Sequence, residues 1–115
     1  METVHNLLTP PGTTADGETF VPLLQHPGFT LEHIVSRGAA SPEGFWFDQD
    51  HCEWVLLLQG DAVIRYDSGE ALALNAGDSL TIPARCRHRV EHCSTDAIWL
   101  ALHYQEAGPS PRTEP

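Results

Sequence analysis

The sequence contains no lysine. Its six cationic side chains are all arginine, and the sequence has sixteen aspartates and glutamates, which gives a formal net charge of −10 in 115 residues. Without lysine, neither Schiff-base catalysis nor the lysine of a phosphate-binding loop is available. The excess of negative charge is repelled by nucleic acids and by anionic membranes, so neither is expected as a partner.

Long apolar runs and a cysteine framework are missing as well. Apolar runs such as Trp54–Leu58 are far shorter than the roughly 18–20 residues that span a bilayer. The N-terminus lacks the basic-then-apolar pattern of a secretory signal. Three cysteines, Cys52, Cys86 and Cys93, form no CxxC pair, which indicates neither a disulfide framework nor a zinc ribbon. These absences favour a cytoplasmic protein.

The apolar residues that are present recur at a period of two. Alternation is clear in Asp61–Tyr66, Ser79–Ile82 and Ile98–Tyr104, and Glu53–Gln59 is apolar on both faces. Alternation of this kind is typical of half-buried strands, and an apolar run on both faces indicates a strand buried from two sides. Nine glycines and nine prolines separate the runs at short intervals. The pattern predicts an all-β sandwich or barrel.

The chain is expected to form one domain. Residues 18–105 contain all of the alternating segments and form the predicted barrel. Residues 1–17 are rich in turn-forming residues and are predicted to be a loose arm. Residues 106–115 contain three prolines and almost nothing apolar, so we predict a disordered tail.

Two segments, 44–60 and 77–92, carry the residues that suggest chemistry. Glu53 begins an otherwise apolar strand, and six residues separate it from Gly60. Gly77 is followed by Pro83, and His88 lies five positions after that proline. A carboxylate directed into a barrel suffers desolvation unless it is paired, protonated or bound to a metal. If Glu53 and His88 face one cavity, they form half of a first-row metal site.

These spacings resemble the two motifs of the cupins, which are small metal-binding β-barrels. The resemblance covers roughly residues 30–104. Phrases such as EWVLLLQG and IPARCRHRV are similar to those of small single-domain bacterial cupins. The resemblance implies an all-β, cupin-like (jelly-roll) barrel of two antiparallel sheets around a cavity. It also implies a divalent metal ion, with Zn, Fe, Mn and Ni as candidates.

The sequence departs from the cupin pattern at three places. The family's first motif offers two histidines before its glutamate, and here those places hold Trp46 and Asp48 or, with the shorter spacer, Phe47 and Gln49. Arg85 stands where the second motif has a glycine, two residues after the proline. The later polar residue of that motif, usually asparagine, is His92.

Nearby residues offer replacements for the missing histidines. His51 lies two residues from Glu53, and His92 lies four residues from His88, so strand alternation would place each pair on one face. The predicted metal ligands are therefore Glu53, His88, His51, Asp48 and His92. The predicted substrate contacts are Gln49, Arg85 and Trp46. Each of these residues also has an ordinary alternative role in a core, a turn or a surface.

Two functions remain open at this point. The first is a metal-dependent enzyme of dioxygenase, isomerase or lyase type, acting on a small and, from the nearby arginines, anionic metabolite. The second is a non-catalytic domain that binds or senses a small molecule and has lost its metal. The missing histidines favour this second function. A purely structural dimerisation module is a distant third. Because one apolar face of Glu53–Gln59 must be covered from outside a small barrel, we also expect a homodimer.

Overall fold

The structure, a computed structural model, describes residues 4–9 and 18–105. The predicted tail over 106–115 lies outside the described residues, as does most of the predicted arm. The described part forms eight strands and no helix, so it contains no helix long and apolar enough to cross a membrane. The strands are β1 (Thr19–His26), β2 (Phe29–Val35), β3 (Cys52–Gln59), β4 (Asp61–Tyr66), β5 (Ala71–Asn75), β6 (Ser79–Ile82), β7 (His88–Cys93) and β8 (Ile98–Tyr104).

The strands form two antiparallel sheets that face each other. The larger sheet has the order β1-β2-β8-β3-β6, and the smaller one has the order β5-β4-β7. Strands that are neighbours in the sheet are often distant in sequence, as where β8 lies between β2 and β3. The prediction of an all-β jelly-roll of two antiparallel sheets is confirmed.

The core lies between the sheets because alternate residues of each strand point inward. On β3, Val55 and Leu57 are buried while Leu56 is only partly buried. On β8, the buried inner residues include Trp99 and Ala101. These side chains pack in one cluster with others from both sheets: Ile34, Ala62, Ile64, Leu74, Cys93 and Ala97.

Two glycines make turns that other residues would strain. Gly60, between β3 and β4, has a φ of 90°, and a Cβ there would lie 2.2 Å from the Ser94 Oγ atom. Gly77 has a φ of 96°, and its amide donates to the Leu57 carbonyl at 2.7 Å. Both positions require the left-handed conformation that glycine adopts without a steric penalty. They fix where β3 ends and where β6 begins, and therefore where Glu53 stands.

Candidate functional site

A cavity of about 460 Å³ opens between the two sheets. Its apolar wall comes from inward-facing strand residues such as Val55, Ile64 and Trp99. Its polar side chains are mostly carboxylates and imidazoles. They are Glu18, Thr30, Glu32, Gln49, His51, Glu53, His88 and His103.

Strand register brings the polar residues to one end of the cavity. His103 on β8 pairs with Glu53 on one side and with Thr30 on the other. Glu32 lies two residues after Thr30 on β2 and shares its face by alternation. His88 comes from β7 in the opposite sheet. Four groups from four strands, Glu32, Glu53, His88 and His103, therefore converge; we call them the polar end.

The contact that joins the two sheets is between His88 and Glu53. His88 is 4% exposed and Glu53 is 9% exposed. The Nδ1 atom of His88 lies 2.9 Å from the Cys86 carbonyl, and because a carbonyl only accepts, that nitrogen carries a proton. The Nε2 atom lies 3.6 Å from the Glu53 Oε1 atom, beyond a normal hydrogen bond. In the neutral ring, Nε2 carries no proton, and its lone pair faces the Glu53 carboxylate.

The surroundings of His88 favour a positive charge on its ring. Burial by itself lowers the pKa of His88, but the interaction with Glu53 and the Cys86 carbonyl outweigh it. The pKa of His88 is therefore raised above its usual value of 6.5. The ring therefore binds a proton more readily than a free imidazole does, which suits a group that moves protons.

A second imidazole at the polar end is held from both sides. The Nε2 atom of His103 lies 2.9 Å from the Glu32 Oε1 atom, and its Nδ1 atom lies 3.0 Å from the His51 Nε2 atom. A carboxylate accepts, so His103 donates through Nε2 and receives a hydrogen bond from His51 at Nδ1. The Glu53 Oε2 atom is 3.9 Å from the same Nε2 atom. These contacts fix the orientation of the His103 ring.

The structure decides between the two possible alignments of the first motif. Phe47 and Gln49 line the cavity, whereas Trp46 and Asp48 do not. Phe47 pairs with His88 through backbone hydrogen bonds in both directions, at 3.1 and 2.7 Å. The Phe47 ring stacks on the His88 ring at 5.3 Å between centroids. An apolar ring and an amide therefore occupy the places of the family's two histidines.

Three predicted site residues lie outside the cavity. Arg85 and Asp48 form an exposed ion pair at 3.1 Å. Trp46 lies under the guanidinium groups of Arg87 and Arg89, at 5.9 and 5.8 Å. The reason is the turn before β7, in which Arg85 adopts a left-handed φ of 64° and its amide donates to the Gln49 carbonyl at 2.7 Å. That turn directs the arginine side chain to the outer surface.

His92 also lies outside, and the expectation that it shares the face of His88 is wrong. Val63 pairs with His92 but the next residue, Ile64, pairs with Val90, so Glu91 is an extra residue in β7. Such a bulge reverses the alternation beyond it. The His92 side chain is consequently exposed and lies 3.4 Å from Asp61. A single sequence gives no signal for this bulge.

Of the predicted metal ligands, the structure brings together Glu53, His88 and His51 near the cavity. It does so without the geometry of a metal site. Among residues 4–9 and 18–105, no three His, Cys, Asp or Glu side chains are arranged to hold a metal ion. The cause lies in the donor set, since His103 and His51 bond each other and Phe47 stands at a ligand position. The residues as placed do not fit the family's metal.

Sequence reasoning missed Glu32 and His103. A signal for His103 was present, because it lies two residues after Ala101 and four after Trp99 and so shares their inward face. Glu32 lies on β2, where Thr30 and Ile34 define the same face. What the sequence could not provide is the pairing of β2 with β8, which brings the two residues together.

The comparisons with known proteins agree with this fold. The model of the Cupin domain family matches residues 32–103. A protein of Ralstonia eutropha, named a putative mannose-6-phosphate isomerase, is 37% identical, with 91% of this chain and all of that chain covered and a TM-score of 0.84. No curated protein matches the chain.

Two further solved structures share the fold at lower identity. A cupin superfamily protein of Desulfitobacterium hafniense is 18% identical over 92% of this chain and 94% of that chain, with a TM-score of 0.74. The KdgF protein of a Halomonas species is also 18% identical, over 84% and 87%, with a TM-score of 0.68. Because the Cupin domain model matches residues 32–103, more than half of the chain, this chain belongs to the cupin family.

Proposed function

We propose that this cupin is an enzyme that moves a proton on a small hydroxylated metabolite bound in the barrel. The observation that supports it is the buried His88–Glu53 pair, in which Nε2 of the imidazole faces the cavity and Nδ1 is anchored on the Cys86 carbonyl. A fixed imidazole with a titrating nitrogen is the most common general base and acid in enzymes. Glu53 stabilises the imidazolium that forms when His88 takes the proton.

The other residues of the cavity have supporting roles in this proposal. Gln49 lines the same cavity as His88 and is our candidate for holding a substrate oxygen. His103, oriented by Glu32 and His51, lies 3.9 Å from Glu53 and adds a second imidazole beside that carboxylate. The apolar wall around Val55 and Trp99 excludes water, which strengthens the electrostatic interactions inside.

The relative from Ralstonia eutropha is consistent with this reaction type. It is named a putative mannose-6-phosphate isomerase. Interconversion of an aldose and a ketose transfers a proton between neighbouring carbons beside a carbonyl, which an acid–base pair can carry out. We therefore place isomerisation or epimerisation first among the reactions of this chain.

The test is solvent deuterium incorporation. The protein is incubated in D₂O with a panel of aldoses, ketoses and their amino and acidic derivatives, and loss of C–H signals is followed by NMR. We expect exchange into at least one compound. We expect His88→Asn to lower the rate by about 100-fold or more, as for loss of a general base.

The matched control is His92→Asn, because His92 lies on the same strand but outside the cavity. Its exchange rate should equal that of the wild type. Absence of exchange from every compound, while binding is still observed, would favour the non-catalytic binding domain instead.

Metal-dependent catalysis is the second candidate. Glu53 and His88 stand at two of the family's ligand positions and face each other. Elemental analysis of untagged protein, repeated on Glu53→Ala and His88→Ala, separates the candidates. Stoichiometric Zn, Fe, Mn or Ni that is lost in both variants would support this second candidate; no uptake by the wild type would refute it.

We further propose that the chain acts as a cytoplasmic homodimer. Trp54, Leu56 and Leu100 lie on the outer face of the larger sheet and are only partly buried. On β1, Val21 and Leu24 are about half exposed, at 46% and 50%. Light scattering coupled to size exclusion tests this: a mass twice that of the chain is expected, and a monomer at micromolar concentration would refute it.

A further inference from the structure

The cavity has a strongly one-sided charge. Its wall contains three carboxylates, Glu18, Glu32 and Glu53, and none of the arginines in the described part of the chain lines it. The arginines of the second motif are used elsewhere. Arg85 pairs with Asp48, Arg87 lies 3.8 Å from Asp67, and Arg89 donates to the Ser41 carbonyl. The expected electropositive contact for an anionic metabolite is therefore not in the cavity.

The carboxylates of the cavity have an imidazole or a hydroxyl as their nearest partner, and none is paired with an arginine of the described residues. The Glu53 Oε1 atom lies 3.6 Å from the His88 Nε2 atom, the Glu32 Oε1 atom lies 2.9 Å from the His103 Nε2 atom, and Glu18 accepts a hydrogen bond from the Ser36 hydroxyl at 3.0 Å. A carboxylate removed from water is costly unless it is paired with an opposite charge. A ligand that contributes N–H donors and a positive charge to this cavity supplies that pairing.

The apolar wall suits the same ligand. Phe20, Phe47 and Trp99 contribute aromatic rings to the lining. Aromatic faces attract cations, and more strongly where water is excluded. Carboxylates and aromatic rings together form a lining for an organic cation, whereas a phosphate would meet three carboxylates and none of the arginines of residues 18–105.

We propose that the ligand of this cavity carries an ammonium group, as in an amino sugar or a similar small hydroxylated amine, and that phosphorylated compounds are excluded. The proposed function is needed to say which reaction the ligand undergoes, but the charge of the ligand is inferred from the cavity alone. The proposed ligand differs from the sugar phosphate in the name of the Ralstonia eutropha relative.

The experiment measures dissociation constants by calorimetry for mannosamine, mannose and mannose 6-phosphate, which share one carbon skeleton and differ in charge. A set of small primary and quaternary amines is measured in parallel. We expect an amine to bind at least about tenfold more tightly than its neutral analogue, and the phosphate to bind most weakly. A tenfold ratio is about 1.4 kcal/mol.

Charge variants then locate the effect. Glu53→Gln should reduce the amine preference by about tenfold, because one facing carboxylate is lost. Asp61→Asn, which removes an equal charge outside the cavity beside His92, should leave the preference unchanged. Equal effects of the two variants would indicate general charge steering and overturn the proposal.

Each remaining outcome is informative. Tighter binding of the phosphate than of mannose, or no binding of any amine at millimolar concentration, would overturn the inference. Binding of an amine without deuterium exchange would retain the inference and refute only the proposed reaction. The two proposals therefore fail separately.

Discussion

The two faces of β7 show how one short segment separates opposite charges. On the inner face, His88 meets Glu53 in a buried, acidic environment. On the outer face, Arg87 and Arg89 lie over Trp46 and are exposed or half-buried. In the sequence these residues are adjacent and look like one mixed site. Strand alternation divides them, so the arginines contribute surface charge and the histidine contributes chemistry.

The comparison also changes what the net charge of −10 implies. The arginine cluster looked like a local attraction for anions within an acidic protein. Since the cluster faces outward, its positive charge does not offset the three carboxylates of the cavity. The same division explains why we expect cations inside the barrel and why we assign the outer face no catalytic role.

The largest difference is expected between substitutions of the inner and the outer histidine of β7. His88→Asn should lower the exchange rate by about 100-fold, whereas His92→Asn should have no effect. Both variants should retain the wild-type circular dichroism spectrum. Similar losses in the two variants would contradict the assignment of His92 to the outer surface.

The two faces of β3 should differ in stability. Leu57 is fully buried, and Leu57→Ala should lower the free energy of unfolding by about 2–5 kcal/mol through the cavity that it leaves. Leu56→Ala, on the partly buried outer face, should cost about 1 kcal/mol within a single protomer. Urea denaturation measures both. A cost for Leu56→Ala that is larger at high protein concentration and shrinks on dilution would locate the dimer contact at this face.

The two turn glycines should also differ. Gly60→Ala requires a left-handed alanine and places its Cβ against Ser94, so we expect a loss of more than about 2 kcal/mol. Gly77→Ala is strained only by its φ, since nothing lies within 4 Å of the added atom, and should cost about 1–2 kcal/mol. Equal thermal shifts would show that the Ser94 contact relaxes at no cost.

The raised pKa of His88 predicts a pH dependence of stability. A group with a raised folded pKa contributes stability that is fully present below its unfolded pKa of about 6.5 and is lost as the pH rises through the folded value. The stability of the wild type relative to Glu53→Gln should therefore fall as the pH rises above about 6.5. A difference that stays constant as the pH rises from below that value would mean that Glu53 does not act on His88.

The smallest effect is expected at Arg85. Its φ of 64° is unfavourable for a side chain, so Arg85→Gly relieves strain of about 1 kcal/mol. The same change removes an exposed ion pair with Asp48, which contributes between about 0 and 1 kcal/mol. The melting temperature should change little and deuterium exchange should not change. A large loss of the deuterium exchange rate would show that Arg85 contributes to the site.

Much of this fold follows from the sequence, and the site follows less fully. The periods of Asp61–Tyr66 and Ile98–Tyr104 predict β4 and β8 directly, and the resemblance to the cupin motifs implies that Glu53 and His88 share one cavity. His92 could not be placed, because a bulge depends on how β4 pairs with β7. Glu32 could not be placed, because only the sheet order brings β2 beside β8. Local patterns determine faces, but tertiary pairing determines which faces meet.

The central claim is that His88, stabilised by Glu53, acts as a general base and acid at the polar end. The most direct measurement is deuterium exchange by protein that has been treated with a chelator and assayed in metal-depleted D₂O. We predict that the treated wild type keeps its exchange rate and that His88→Asn remains inactive under the same conditions. Exchange that is lost on chelation and restored by Zn, Fe, Mn or Ni would contradict this account and favour a metal site at Glu53 and His88.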